Sequence, residues 1–135
     1  MQSRLPDRLK GAEQPSVIRI LIADDTLSSR ELLRSILESS GYEVVEAEDG
    51  EQVLERAIAL TPHLVILDLK TPKLDGCSAA RALRKIPAFE KTPIVALAAA
   101  LPEVVPEQMT QAGFTRCLVK PIGPARLREC VASLL

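Results

Sequence analysis

Leu64-Val65-Ile66-Leu67-Asp68 is a short apolar run that ends in a carboxylate; Leu69-Lys70-Thr71-Pro72 and then Asp75-Gly76 follow it. The run is too short for a typical helix and rich in β-formers, so it reads as a strand buried on both faces. Pro72 and Gly76 place a loop directly after it. In open parallel α/β sheets, ligands bind outside the carboxyl ends of the strands, which is where Asp68 stands. Taken alone, Asp68 also fits a simple cap on that loop or on the next helix.

Four other runs repeat the pattern. Val17–Ala23 (VIRILIA) is β-branched and reads as strand 1, ending at Asp24-Asp25, a second acidic group at a strand terminus. Glu43–Ala47 has one strongly apolar centre, Val44-Val45, and fits an edge strand. His63–Asp68 is strand 3, Pro93–Leu97 strand 4, and Arg116–Val119 strand 5, with Lys120-Pro121 after it. Helical stripes lie between the strands. Leu27, Leu32, Leu33, Ile36 and Leu37 mark helix 1, with Ser28 and Glu31 at capping-box spacing and Gly41 as its stop. Val53, Leu54, Ala57 and Ile58 mark helix 2, opened by Asp49 and Gln52 at the same spacing and followed by Pro62. Asp75 caps helix 3, which turns Ala79, Ala80, Leu83 and Ile86 inward and stops at Pro87. Pro102 and Pro106 follow strand 4. Proline is tolerated only in a helix's first turn, so helix 4 starts near Pro106, runs through Met109 and Ala112 and stops at Gly113. Helix 5 starts near Pro124 and carries Leu127, Cys130, Val131 and Leu134 on one face.

Strands alternating with helices predict a doubly wound parallel α/β sheet with right-handed crossovers. The flavodoxin-like order 2-1-3-4-5 has its crevice between strands 1 and 3, and would bring Asp24, Asp25 and Asp68 together. Residues 1–16, polar with two prolines and one glycine, read as a flexible leader or linker, leaving 17–135 as one domain.

Composition narrows the function. Of 135 residues, 47% are hydrophobic but only 2% aromatic, so the core is aliphatic and there is little to stack on bases. The formal net charge of -1 supports no direct nucleic-acid footprint. The longest apolar stretch, Ile94–Leu101, is far short of a membrane span, and residues 1–14 hold no signal-peptide core. Cys77, Cys117 and Cys130 are odd in number and widely spaced, which fits buried free thiols in a reducing, cytoplasmic compartment better than a disulfide or zinc framework.

Three converging carboxylates repel one another unless a cation joins them. Oxygen-only ligands suit a hard ion, Mg²⁺ or Mn²⁺. Lys120 adds a positive charge from the end of strand 5. An acidic triad, a divalent ion and a lysine make a site for a phosphoryl group, and an Asp carboxylate can itself be the nucleophile. Lone His63, at the start of strand 3, reads as structural, as do Thr71 and Asp75 in the loop and cap. A phosphatase with an Asp nucleophile usually needs a second acid two residues on, where Lys70 stands, and no G-x-G-x-x-G follows any strand. An enzyme is therefore not expected.

Over about Val17–Leu135 these residues resemble the response-regulator receiver domain of two-component signalling. The resemblance rests on Asp24-Asp25, on Asp68-Leu-Lys-Thr-Pro-Lys-Leu-Asp-Gly, on Thr92-Pro93-Ile94-Val95-Ala96-Leu97, on Ala112-Gly113 and on Lys120-Pro121, in order and at family spacing. It implies that Asp68 accepts a phosphoryl group from a histidine kinase or phosphotransfer protein. It implies further that Asp25 and Asp68 ligate Mg²⁺ directly, Asp24 largely through water, with the Lys70 backbone carbonyl completing the protein ligands. Lys120 would contact the phosphoryl group, and a cis Lys120-Pro121 bond would aim it inward.

Two departures stand out. Similar receivers carry Ser or Thr just past strand 4 and Tyr or Phe in strand 5, and these move together on phosphorylation. Here the positions are Ala98 and Cys117. Lys70 lies close enough to reach over the metal site, and Ala100 is small. The expectation is thus a phospho-acceptor receiver with an atypical switch, signalling to an unknown output protein. The alternative is a receiver-like interaction module that no longer switches, binding through helix 4, strand 5 and helix 5. The chain is expected to be a stand-alone regulator or an excised domain without an output module, and a monomer or weak dimer.

Overall fold

A computed structural model describes residues 17–71, 73–99 and 106–135. Its elements run β1 (Arg19–Ala23), α1 (Leu27–Ser39), β2 (Glu43–Ala47), α2 (Gly50–Leu60), β3 (Leu64–Asp68), α3 (Gly76–Arg84), a 3-10 turn (Pro87–Phe89), β4 (Ile94–Ala98), α4 (Pro106–Ala112), β5 (Arg116–Val119) and α5 (Pro124–Leu134). All strands are parallel, in the order β2-β1-β3-β4-β5, so the flavodoxin-like expectation holds. The leader at 1–16, Pro72, Ala100 and Pro102 lie outside the described residues.

Alternation along the strands divides the core. Ile20, Ile22, Leu64, Ile66, Val95, Leu97 and Leu118 face α1 and α5, against Leu33, Ile36, Leu37, Leu127 and Val131. Leu21, Ala23, Val65, Leu67 and Ile94 face α2 and α3, against Val53, Ala57, Ala79, Ala80 and Leu83. β3 and β4 are buried along their whole length, as expected for central strands covered on both sides.

The structure corrects several local readings. β1 begins at Arg19, leaving Val17 47% exposed, and His63 precedes β3 rather than opening it. β4 is Ile94–Ala98, one residue later than the apolar pattern placed it. Ser28 and Glu31 do not cap α1: the N-cap is Thr26, without a side-chain cap bond. The earlier start sets the helix phase. Leu33, Ile36 and Leu37 face inward together with Arg30, while Leu27 and Leu32 are 58% and 57% exposed. Leu32 precedes Leu33 by one residue, about 100° around the helix. Ile58 on α2 is likewise 62% exposed. α3 ends at Arg84, before Ile86, and Pro87 opens the 3-10 turn. Of the three cysteines, all free, only Cys130 is buried; Cys77 and Cys117 are half-buried.

Other readings hold. Asp49 accepts from Gln52 N at 2.8 Å, and the Gln52 side chain returns to Glu48 N. Asp75 accepts from Ser78 N at 2.8 Å. Gly41, with φ +92°, follows the C-cap of α1, and α4 is short and starts at Pro106.

Two contacts fix the placement of α3. The first is a close approach: a Cβ on Gly76 would stand 2.5 Å from the Asp68 carbonyl oxygen and 2.9 Å from Leu69 Cα. Only glycine lets α3 begin against the end of β3. The second is the fork of Arg84. Nε and Nη2 donate to the Gly113 carbonyl at 3.0 and 2.7 Å, and Nη1 to those of Phe89 and Thr92 at 2.7 and 2.6 Å. One guanidinium thus ties the end of α3 to the 3-10 turn, the start of β4 and the α4–β5 corner.

Gly76→Ala is expected to destabilise the protein by about 1–3 kcal/mol, because the added methyl meets backbone rather than a yielding side chain. Urea unfolding of the two proteins checks this; equal stability would show that α3 can shift without cost.

Candidate functional site

The sheet order delivers the acidic residues to one edge. Asp24 and Asp25 follow β1, Asp68 ends the neighbouring β3, and Lys120 follows β5. One carboxylate oxygen from each of Asp24, Asp25 and Asp68 lies within 4.8 Å of the others, the only such acidic, His or Cys group among the described residues. Asp24 is fully buried, Asp68 is 7% exposed and Asp25 is open to solvent.

Lys120 spans the crevice. Its Nζ donates to Asp24 Oδ2 at 2.6 Å and to Asp68 Oδ2 at 2.8 Å. Its amide donates to the Ala98 carbonyl at 2.8 Å, and the Lys120-Pro121 bond is cis. Asp68 Oδ1 accepts from the Lys70 amide at 2.9 Å, so the loop closes back on the strand end. The exposed Lys70 residue thus stands beside Asp68, as its place two residues on requires.

Ala98 is the buried last residue of β4, in register with Val119, and Cys117 is in register with Ala96. In parallel strands registered residues share a face, so Ala96, Ala98, Cys117 and Val119 line one side of the sheet. Ala98 brings no hydroxyl to the edge and Cys117 no ring. Burial pushes the Cys117 thiol above its usual pKa, away from the reactive thiolate.

Sequence reasoning missed two contributors, both on α1. Ser29 Oγ donates to Asp24 Oδ2 at 2.6 Å, and Arg30 Nη1 donates to the Asp24 carbonyl at 2.7 Å. Arg30 is buried, and its Nε meets Glu46 Oε1 at 3.2 Å. The signal was available: Ser29 and Arg30 lie four and three residues before Leu33, on the inward face once the helix is phased from Thr26. Leu32, read as inward, instead lines an apolar groove of about 440 Å³ beside Lys120, with Leu33, Ile36, Leu97 and Ile122.

The three carboxylates offer only oxygen donors at a spacing that fits one hard divalent cation, and among the described residues no Cys or His joins the group.

Burial alone would raise the Asp24 carboxyl. Hydrogen bonds from Lys120, Ser29 and the Thr26 amide outweigh it and hold the group below its ordinary 3.8. Burial would lower Lys120, but its bonds to Asp24 and Asp68 outweigh that and raise it above 10.5. A lowered acid stabilises the fold above its unfolded pKa and ceases to as pH falls through the folded value. A raised base stabilises it below its unfolded pKa and ceases to as pH rises through the folded value. Both contributions are therefore intact between about pH 4 and 10. In metal-free buffer, Lys120→Met is expected to shrink the acid loss that Asp24 contributes, because its folded pKa moves back toward the unfolded one, and to remove the alkaline loss due to Lys120. Urea unfolding across pH checks this; acid limbs that superimpose would count against the pairing.

Comparison with known proteins fits this geometry. The profile of the family described as "Response regulator receiver domain" matches residues 20–132. A probable transcriptional regulator, ycf27, of Cyanophora paradoxa is 40% identical over 119 residues, covering 87% of this chain and 48% of the relative. The chain thus spans about half the length of that relative. Among solved structures, the chemotaxis response regulator CheY4 of Vibrio cholerae superposes with a TM-score of 0.84 at 30% identity, covering 89% of this chain and 100% of that one. The receiver domain of the sensor histidine kinase PA1611 from Pseudomonas aeruginosa PAO1, which has a magnesium ion coordinated in its active site cleft, gives 0.79 at 30% identity, covering 86% and 95%. A sheet in this order, an acidic edge closed by a lysine and a profile spanning nearly every element agree, and the chain belongs to the response regulator receiver domains of two-component signalling.

Proposed function

We propose that this chain is a phospho-acceptor receiver, phosphorylated on Asp68 by a histidine kinase or phosphotransfer protein, with Mg²⁺ (or Mn²⁺) at the acidic edge. The observation that carries this reading is Lys120 Nζ held between Asp24 and Asp68 at 2.6 and 2.8 Å. A nearly buried carboxylate at a crevice, with an ammonium in contact and further oxygen ligands alongside, is built to take a phosphoryl group.

An Asp68 oxygen attacks phosphorus as the P–N bond to the donor's imidazole breaks, and the bonding pair leaves with the imidazole. The product is an aspartyl phosphate. Lys120, already in contact with Asp68, turns to a phosphoryl oxygen and offsets its charge. Asp25, Asp68 and the Lys70 backbone carbonyl would hold the cation, with Asp24 in support. The bound cation supplies neutralisation of the phosphoryl oxygens. The magnesium coordinated in the PA1611 receiver supports this choice of ion. The apolar groove beside Lys120 offers the donor protein a surface next to the acceptor. The chain acts as a signalling domain rather than as an enzyme, and an output protein reads the phosphorylated state.

Asp68→Asn is expected to abolish incorporation from a small-molecule phosphodonor in Mg²⁺, read by intact mass. Labelling equal to wild type would defeat the assignment.

A second reading is favoured by Ala98 and Cys117: the domain binds its partner through α4, β5 and α5 without switching. The double variant Ala98→Thr/Cys117→Tyr is expected to couple the site to that face, so that beryllofluoride shifts amides there in the variant beyond its effect on wild type. Unchanged amide shifts on α4 and β5 in the variant would remove the relay argument.

A further inference from the structure

We propose that Ser29 is a positioning residue of the metal site: its hydroxyl fixes the Asp24 carboxylate so that the carboxylate keeps its orientation when Lys120 leaves it. The proposal rests on the reading of Asp24, Asp25 and Asp68 as a divalent-cation site.

Asp24 is fully buried and has three hydrogen-bond partners on its carboxylate. Thr26 N holds Oδ1 at 2.9 Å, while Ser29 Oγ and Lys120 Nζ share Oδ2, both at 2.6 Å. These partners differ in kind. Lys120 is a cation that also bonds Asp68 and reaches the site from the far end of β5. A divalent cation entering the cluster repels that ammonium, and so does any demand from Asp68 for the same lysine. Ser29 is neutral, is not repelled, and belongs to α1, which sits directly on the Asp24 backbone. When Lys120 moves away, Ser29 remains the side-chain donor on Oδ2. Without it, a buried carboxylate oxygen would lose its partners together, at the cost that buried unsatisfied acceptors carry.

The backbone end of the same residue is fixed from the next position on the helix. Arg30 Nη1 donates to the Asp24 carbonyl at 2.7 Å, and Glu46 holds the Arg30 Nε. Adjacent residues in the first turns of α1 therefore grip Asp24 at its carboxylate and at its carbonyl. Hydrogen-bond partners behind a ligating carboxylate set its orientation, and their loss commonly weakens metal binding about 10–100-fold. A supporting rather than a direct place for Asp24 in the ligand set puts the effect at the low end of that range.

The test is Mg²⁺ binding to the unphosphorylated protein, followed by amide shifts of Asp24, Asp25 and Asp68, with global stability from urea unfolding. Ser29→Ala is expected to weaken Mg²⁺ binding by about tenfold. Ser29→Thr, which keeps a hydroxyl on the same carbon, is expected to restore it. Ser35→Ala, a hydroxyl deletion on the exposed face of the same helix, is expected to bind as wild type does. Ser29→Ala binding Mg²⁺ like wild type would overturn the proposal. So would Ser29→Ala and Ser29→Thr being equally weak, since that pattern reports packing rather than the hydroxyl. A wild-type protein whose three amides ignore Mg²⁺ would overturn the cation site itself and the proposal with it. That failure is distinct, because it is seen before any substitution is made.

Discussion

Mutual repulsion among the carboxylates at one sheet edge is the constraint on which this structure turns. Two like charges 4 Å apart repel by about 4 kcal/mol at an effective dielectric near 20. The fold brings oxygens of Asp24, Asp25 and Asp68 within 4.8 Å of one another and buries two of the three residues. Each buried carboxylate is met by donors from elements that must themselves be in place. Lys120 needs β5 beside β4, Ser29 needs α1 phased inward, and the Lys70 amide needs the loop after β3 to turn back. The sheet order is therefore an electrostatic requirement as much as a packing solution. An order that separated β1 from β3 would leave Asp24 buried without the site that makes its burial useful.

The side of the sheet that faces α2 and α3 carries a different chemistry. Ala96, Ala98, Cys117 and Val119 line it with small side chains. Ala98 is buried and closed to water, so its methyl packs against its neighbours. What remains at that edge is backbone: the Ala98 carbonyl holds the Lys120 amide at 2.8 Å. β4 is tied to the lysine through the main chain even though its side chain brings no polar group.

Much of this was legible in the chain. The five strands and five helices, the order of the sheet and the convergence of Asp24, Asp25, Asp68 and Lys120 follow from apolar runs ending in charges and from Pro and Gly punctuation. The boundaries were harder. The apolar pattern around Leu27 and Leu32 pulled the phase of α1 off, because two exposed leucines imitate a stripe. The cap pattern Ser28–Glu31 did the same, since its spacing is present without the geometry. Ser29 and Arg30 escaped notice for another reason: both share the face of Leu33, but a polar side chain among apolar ones shows its role only through the partner it meets, here Asp24. Arg84 could not be read at all. Its acceptors are backbone carbonyls scattered over Phe89, Thr92 and Gly113, and carbonyls leave no mark in a sequence.

That last contact separates two kinds of behaviour in one small domain. The carboxylate edge is held by groups whose charge depends on protons, and its strength changes with acidity. The corner where α3, the 3-10 turn and the α4–β5 connection meet is held by a guanidinium, which stays charged at any pH a folded protein meets, and by carbonyls, which do not titrate. Acidification thus slackens the carboxylate edge while the opposite corner keeps its fastening. The molecule has a chemically responsive rim and an inert fastening, and the central strands run between them.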